Sequence, residues 1–241
     1  MTRIVLVTGG GNGIGKETAA RFRADGDTVI ITGRDAGRLA RTAAEIDVRP
    51  IVCDATDPRA VAVMAEELGP DLDVVVNMAG GNTDLGRPDG QPCSLEQVAA
   101  SWRANLDTNL LSAVLTTTAV LGKLRPGGSI VTIGSIGAEY AASSYGAAKA
   151  ALAAWTAGLS STVGARGLTA NAVAPGYIAE TDFFRGELSE QRRTALVDAT
   201  HNGRAGRPGD VAETIHFLAS PGARHITGQT LHVNGGAHTT R

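Results

Sequence analysis

Tyr145 and Lys149 stand four residues apart in Ser143-Ser144-Tyr145-Gly146-Ala147-Ala148-Lys149, a stretch of helix-forming composition. On a helix that spacing puts both side chains on one face. A free phenol with a pKa of about 10 is a poor base at neutral pH, so a working phenolate needs nearby positive charge, which Lys149 can supply. In the opposite direction the same phenol donates its proton to an oxygen that is gaining charge. Such an oxygen also needs a fixed hydrogen-bond donor. Ser135, in Ile133-Gly134-Ser135 just past an apolar run, is placed to be one, or else caps the strand end. Asn109, in Asp107-Thr108-Asn109-Leu110-Leu111, is an amide in an apolar helical stretch, where it is costly unless satisfied. Either it satisfies backbone groups or it holds a water that links Lys149 to solvent.

A second feature lies near the start of the chain, in Thr8-Gly9-Gly10-Gly11-Asn12-Gly13-Ile14-Gly15. Gly9, Gly13 and Gly15 suit a turn that bends sharply, lets the backbone approach a pyrophosphate and starts a helix close to a sheet. With Gly11, Asn12 and Ile14 they form a candidate dinucleotide seat, the plain alternative being a tight turn without ligand. The spacing is Gly-x-x-x-Gly-x-Gly rather than Gly-x-Gly-x-x-Gly.

Thr32-Gly33-Arg34-Asp35 closes the next apolar run. An NAD site places an acid there for the ribose 2′-hydroxyl, and an NADP site needs a cation. Gly33 stands where the acid is expected and Arg34 follows, so NADP(H) is preferred, with NAD(H) as the alternative. Asp35 is adjacent, and Arg34 could instead pair with it. Asp54 suits an adenine amino group, assisted by the amide of Ala55. Asn77, Ala79 and Gly80 end another apolar run, where small residues admit a ribose; Asn77 is expected both to tie strand ends together and to line the site.

These residues need a scaffold, and the chain supplies alternating β-rich runs and amphipathic helical stretches. Strands are expected at Ile4 to Thr8, Thr28 to Thr32, Pro50 to Cys53, Leu72 to Val76, Ser129 to Ile133, Leu168 to Ala174 and Thr230 to Val233. Continuous apolar runs such as Val74-Val75-Val76 suit strands buried on both faces, and the connections are long enough for helical crossovers. The expected fold is α/β: one Rossmann-type domain over residues 1–241, a doubly wound seven-stranded parallel sheet with helices on both faces. The loop-like stretch from Gly80 to Pro92 follows a strand end, where such sheets bind ligands. A candidate lid runs from Pro175 to about Leu196, and in it Phe183 and Phe184 either cover an apolar substrate or pack a short helix.

With 43% apolar and 19% charged residues and a net charge of −2, the chain shows no electrostatic footprint for nucleic acid or an anionic membrane. The apolar run before the glycines is too short for a signal-peptide core, and no stretch approaches the roughly 20 apolar residues of a spanning helix. Cys53 and Cys93 form no metal-spaced pair and suit a reducing cytoplasm. No sequence feature points to a catalytic metal.

Together these residues resemble the short-chain dehydrogenase/reductase family over nearly the whole chain. The likeness extends to Asn171-Ala172-Val173-Ala174-Pro175-Gly176, to the segment from Gly203 to Ala212, to Thr227-Gly228-Gln229 and to Val233-Asn234-Gly235-Gly236. It implies that Asn109, Ser135, Tyr145 and Lys149 form a catalytic tetrad, with Lys149 also holding the nicotinamide ribose. It implies too that Pro175, Gly176 and Ile178 cradle the nicotinamide and that Thr181 contacts the cofactor. The chain is most similar to bacterial 3-oxoacyl-acyl-carrier-protein reductases, which implies NADP(H)-dependent reduction of a ketone to a secondary alcohol. An NAD-linked secondary-alcohol, sugar or steroid dehydrogenase is the alternative, and a cofactor-sensing binding protein is a third reading.

The substrate would be a small carbonyl or alcohol, carried on an acyl carrier protein if Arg87, Arg103, Arg185, Arg192 and Arg193 include a docking patch. The family's helix pairing implies a homotetramer, built on Ser94 to Leu121 and Ser143 to Val163. Three departures from the family pattern stand out. Ser135 precedes Tyr145 by only ten positions, which makes Ser143 and Ser144 alternative donors; Glu180 is an extra residue before Thr181; and Asn12 stands where many NADP-preferring members carry a basic residue.

Overall fold

The computed structural model describes residues 2–85 and 94–240. Arg87, Cys93 and the part of the Gly80 to Pro92 stretch beyond Leu85 lie outside the described residues. Strands β1 (Ile4–Thr8), β2 (Thr28–Gly33), β3 (Arg49–Val52), β4 (Leu72–Asn77), β5 (Leu124–Ile133), β6 (Thr169–Pro175) and β7 (Thr230–Val233) make one sheet in the order β3-β2-β1-β4-β5-β6-β7. Every pairing is parallel. The expected strands are therefore present. β5 begins at Leu124, ahead of the expected Ser129, because Pro126-Gly127-Gly128 enters the ladder through a register shift opposite Leu72 and Val74.

The helices are α1 (Gly13–Ala24), α2 (Ala36–Ile46), α3 (Pro58–Glu67), α4 (Leu95–Leu106), α5 (Ser112–Val120), α6 (Gly137–Tyr140), α7 (Ser144–Val163), α8 (Glu190–Asp198) and α9 (Pro208–Leu218). Alternation along the strands divides the core between the two faces of the sheet. Val5, Val7, Ile31, Val74 and Val76 pack with Phe22, Val211 and Ile215 on one face. Leu6, Ile30, Val75 and Ile130 pack with Val61, Met64 and Val163 on the other. Full burial of each large apolar side chain contributes about 1.5–3 kcal/mol.

Strand order reverses between β1 and β4, and the chain parts there to leave a crevice. The Thr8 hydroxyl bridges the parting, accepting from the amides of Met78 and Ala79 at 3.0 Å each. Gly9 (φ +65°) turns the chain back so closely that a Cβ there would lie 3.0 Å from the Ala79 backbone, and a Cβ on Gly15 would come within 2.2 Å of the Gly9 carbonyl oxygen. Only glycine fits this turn.

The apolar stretch from Ser94 to Leu121, expected as one long helix, is interrupted. Between α4 and α5 the residues Asp107–Leu111 form a π-helical turn. That widening carries Asn109, and π-bulges of this kind occur frequently at functional sites.

Candidate active site

The crevice has two connected chambers at the carboxyl ends of the strands, of about 330 and 550 Å³. Gly9, Asn12, Ala79 and Gly80 line both. The first also meets Gly13, Ile14, Gly15, Ser135, Tyr145, Lys149, Pro175, Gly176, Ile178 and Thr181. The second meets Gly11, Arg34, Asp54 and Ala55. Of the candidate tetrad and cofactor residues, only Asn77 and Asn109 line neither chamber.

Lys149 is buried on α7, and its Nζ donates to the Ile133 carbonyl at 2.6 Å. Burial pulls its pKa down to about 8. Gly80 passes directly over it, and a Cβ on that glycine would lie 3.3 Å from Nζ and 2.8 Å from Asn109 Oδ1. Asn109 itself is spent on backbone: its amide nitrogen donates to the carbonyls of Gly81 and Asn105, and its Oδ1 accepts from Gly81 N. The side-chain amide thus satisfies backbone groups, as one of its two readings has it.

Tyr145 stands one helical turn before Lys149, whose Nζ lies 5.9 Å from the phenol ring centre. Burial raises the phenol pKa to about 12, with Ser135 pulling it the other way. Ser135 faces the same chamber, its oxygen accepting from Gly137 N at 3.0 Å. The alternative donors, Ser143 and Ser144, line neither chamber. Ser143 caps α7 through Gly146 N. Ser144 donates to Asp84 at 2.5 Å and accepts from Asn105 at 2.8 Å. Asp84 is clasped again by Ser101 and by Asn105, so one carboxylate ties the root of the segment after β4 to α4 and to the start of α7.

Asn77, expected to line the site, lies at neither chamber. It is buried, and its amide donates to Thr117 Oγ1 at 2.9 Å, anchoring the end of β4 to α5 without lining the crevice. Its size and position resemble those of a ligand-binding amide in sequence, and only the side-chain direction separates the two.

The glycine turn leads into α1, whose first turn carries no acidic residue and whose Asn12 makes no side-chain cap. By contrast α2, α3, α4, α7 and α8 are capped by Asp35, Asp57, Ser94, Ser143 and Ser189. The α1 amides therefore face the crevice unclaimed, as an anion site requires. At the far end Asp35 caps α2 through Arg38 N, and no ion pair joins Asp35 to Arg34. Arg34 is exposed and makes no hydrogen bond or ion pair with a described residue, while its charge helps to lower the Asp54 carboxyl behind the larger contribution of Thr56 N.

Sequence reasoning missed Arg38, a second guanidinium on the same chamber. The signal was available, because Arg38 lies one helical turn beyond Arg34 at the start of α2. Arg38 and Asn12 both donate to Asp182 at 3.0 Å, which draws the segment after β6 across the crevice. In that segment Phe183 stacks 5.8 Å from Tyr145 and 5.0 Å from Phe184, and both phenylalanines line the first chamber. The extra residue Glu180 is absorbed by a left-handed backbone (φ +59°), and Thr181 reaches the chamber opposite Gly13.

A phosphate-ready helix end and a phenol one helical turn from a buried ammonium, joined by one crevice, suit an enzyme that exchanges hydrogen between a bound dinucleotide and an alcohol or carbonyl. Comparison with known proteins agrees. Residues 9–238 match the family model described as enoyl-(acyl carrier protein) reductase. A Mycobacterium tuberculosis protein named only as an oxidoreductase is 40% identical over 233 residues, 97% of each chain. The Escherichia coli 3-oxoacyl-[acyl-carrier-protein] reductase FabG is 32% identical over 246 residues, 98% of this chain and 97% of its own. A blue fluorescent protein from a metagenomic library, solved in complex with NADPH, superposes with a TM-score of 0.86 at 32% identity, covering 98% of each chain. The chain belongs to the short-chain dehydrogenase/reductase family and is an NAD(P)-dependent oxidoreductase acting on CH–OH or C=O groups.

The buried ammonium has a measurable signature. The folded-state pKa of Lys149, about 8, lies below its unfolded value of about 10.4, so between those values the unfolded chain binds more protons and stability rises with pH. Thermal unfolding of the wild type and of Lys149→Met, compared between pH 7 and pH 10 without cofactor, should show the wild type gaining on the variant from about pH 8 upward. A constant difference would place the lysine in water.

Proposed function

We propose that the chain is an NADP(H)-dependent reductase that converts a ketone, in the simplest case a 3-oxoacyl thioester, to a secondary alcohol, with Tyr145 as the proton donor. The observation that carries this reading is the phenol itself. Held in the first chamber beside Ser135 and one helical turn from the buried Lys149, it is placed to give its proton to a carbonyl oxygen that enters there. Ser135 presents a second hydroxyl to the same space and would hold the carbonyl oxygen. Lys149, largely protonated at pH 7, places a positive charge beneath the oxygen as charge develops there. Asn109 keeps Gly80 and Gly81 in place above the lysine through its backbone bonds and acts by position.

The nicotinamide dinucleotide supplies the hydride when bound. The residues present fit it: the uncapped end of α1 and the glycines Gly9, Gly11, Gly13 and Gly15 for the pyrophosphate, beside Asn12 and Ile14. Asp54, Ala55 and Arg34 would hold the adenosine end, Ala79 and Gly80 the adjoining ribose, and Tyr145 and Lys149 the nicotinamide ribose. Pro175, Gly176, Ile178 and Thr181 would enclose the nicotinamide. Preference for NADP(H) rests on two observations: Arg34 makes no ion pair with a described residue, and the Asp35 carboxylate is committed to capping α2. NAD(H) remains the alternative cofactor, for a dehydrogenase of secondary alcohols, sugars or steroids. A purely cofactor-sensing role is disfavoured, because the acid, the hydroxyl and the ammonium are all in place.

A 3-oxoacyl group on an acyl carrier protein is the substrate suggested by the likeness to FabG. Among the candidate docking arginines that are described, Arg185 lines the crevice mouth, whereas Arg193 is held by Glu190. A reducing cytoplasm suits the buried free thiol of Cys53. We read the assembly as a homotetramer, since α4 and the π-turn leave Leu95 (83%), Trp102 (43%) and Leu111 (39%) exposed.

Purified protein should oxidise NADPH with a short 3-oxoacyl thioester, and Tyr145→Phe should lower kcat by about 10² or more. Turnover of an enoyl thioester in place of the ketone would redirect the assignment to C=C reduction. Replacing Arg34 with alanine should weaken NADPH binding about tenfold, the loss of one charge-assisted contact, and leave NADH almost unchanged in a fluorescence titration; equal losses would remove Arg34 from phosphate recognition. Sedimentation at micromolar concentration should give four chains per particle, and a monomer would overturn the tetramer.

A further inference from the structure

Beyond the crevice, three side chains distant in sequence converge. Glu139 of α6, His232 of β7 and His238 of the following turn bring one ligand atom each to within 4.8 Å of one another, the one such group among the described residues. The two imidazole Nε2 atoms lie 3.6 and 3.7 Å from the two oxygens of the Glu139 carboxylate. Those separations are too long for hydrogen bonds. They are close to the edge of a tetrahedron, since bonds of about 2.0–2.1 Å from nitrogen and oxygen to a zinc ion space its ligand atoms about 3.4 Å apart. The His232 imidazole makes no hydrogen bond with a described residue, and its Nδ1 is buried without a partner. An imidazole short of bonds at both nitrogens is costly unless something else engages it.

We propose that Glu139, His232 and His238 bind a divalent first-row transition-metal ion of the zinc type. Two imidazoles and one carboxylate are a recurrent zinc donor set, with a fourth position left to water. Glu139 is a third exposed, so water reaches that position. The donors are held by backbone. His232 is paired with Ala174 of β6, and His238 is fixed by the Asn234 turn, where Asn234 Nδ2 donates to the His238 carbonyl at 2.9 Å and Asn234 Oδ1 accepts from Gly236 N. The two rings lie 5.2 Å apart, and Tyr140 edges against His238.

The site would clamp α6 to the C-terminal part of the sheet. Helix α6 begins at Gly137, whose amide donates to Ser135 Oγ and whose added Cβ would lie 3.5 Å from the Tyr145 ring. The metal would thus act as a structural brace on the wall of the catalytic chamber, and the hydride and proton chemistry runs without it.

The experiment is a titration of metal-free protein with Zn²⁺ by calorimetry, and with Co²⁺ by visible absorption, at pH 7.5. Wild type should bind one ion per chain at micromolar Kd or tighter, show the intense visible bands of tetrahedral Co²⁺, and gain thermal stability with Zn²⁺. His238→Ala and Glu139→Gln should each weaken binding at least tenfold and lose the Co²⁺ bands. His225→Ala, at an exposed histidine elsewhere, should change nothing, and circular dichroism of the metal-free variants checks that they fold. Absence of wild-type binding at 100 µM Zn²⁺, or equal binding by wild type and both site variants, would overturn the proposal.

Discussion

A buried cation with no carboxylate beside it among the described residues governs this molecule. The Lys149 ammonium lies in the interior with the Ile133 carbonyl as its direct hydrogen-bond partner, and burial alone shifts its pKa by a large fraction of what a protein can impose. Much of the nearby architecture accommodates it. Gly80 has no side chain because none would fit between Nζ and Asn109. The π-turn offsets the helix so that Asn109 can fasten the loop bearing Gly80 and Gly81. A charge so poorly compensated favours any hydroxyl or developing oxyanion that enters the chamber, and that is the source of its usefulness.

The crevice joins two kinds of electrostatics. At the α1 end the field comes from backbone amides that no cap has claimed, an arrangement indifferent to side-chain identity provided the residues are small. At the Tyr145 end it comes from a few ionisable groups whose pKa values burial has moved in opposite directions, the phenol up and the ammonium down. Between them Asp182 binds Asn12 and Arg38 in an exposed bridge, whose worth is modest and falls with salt.

Most of the scaffold was legible in sequence because its signals are local. Strands buried on both faces read as apolar runs, and the glycines of the first turn are dictated by backbone contacts that no other residue permits. The candidate site residues were legible for the same reason, since Tyr145 and Lys149 share a helical turn and Ser135 follows a strand. Legibility failed where the answer depended on side-chain direction or on meetings between distant segments. Asn77 turns toward Thr117 and away from the ligand space. The interruption of the long apolar helix by a π-turn has no composition of its own. Asp84 collects Ser101, Asn105 and Ser144, and Glu139 meets two histidines from the far end of the chain; neither gathering follows a spacing rule.

The Asp84 clasp has a consequence for how such a protein can change over time. The carboxylate fixes the segment after β4 to the first residue of α7, one position before Tyr145. Tyr145 is therefore registered to residue 84 through the start of α7. A substitution at Asp84 reaches the phenol without touching it, whereas changes elsewhere on the rim of the crevice leave that registration intact. The position of the phenol and the shape of the chamber around it are thereby mutationally separable, and a lineage can vary one without first losing the other.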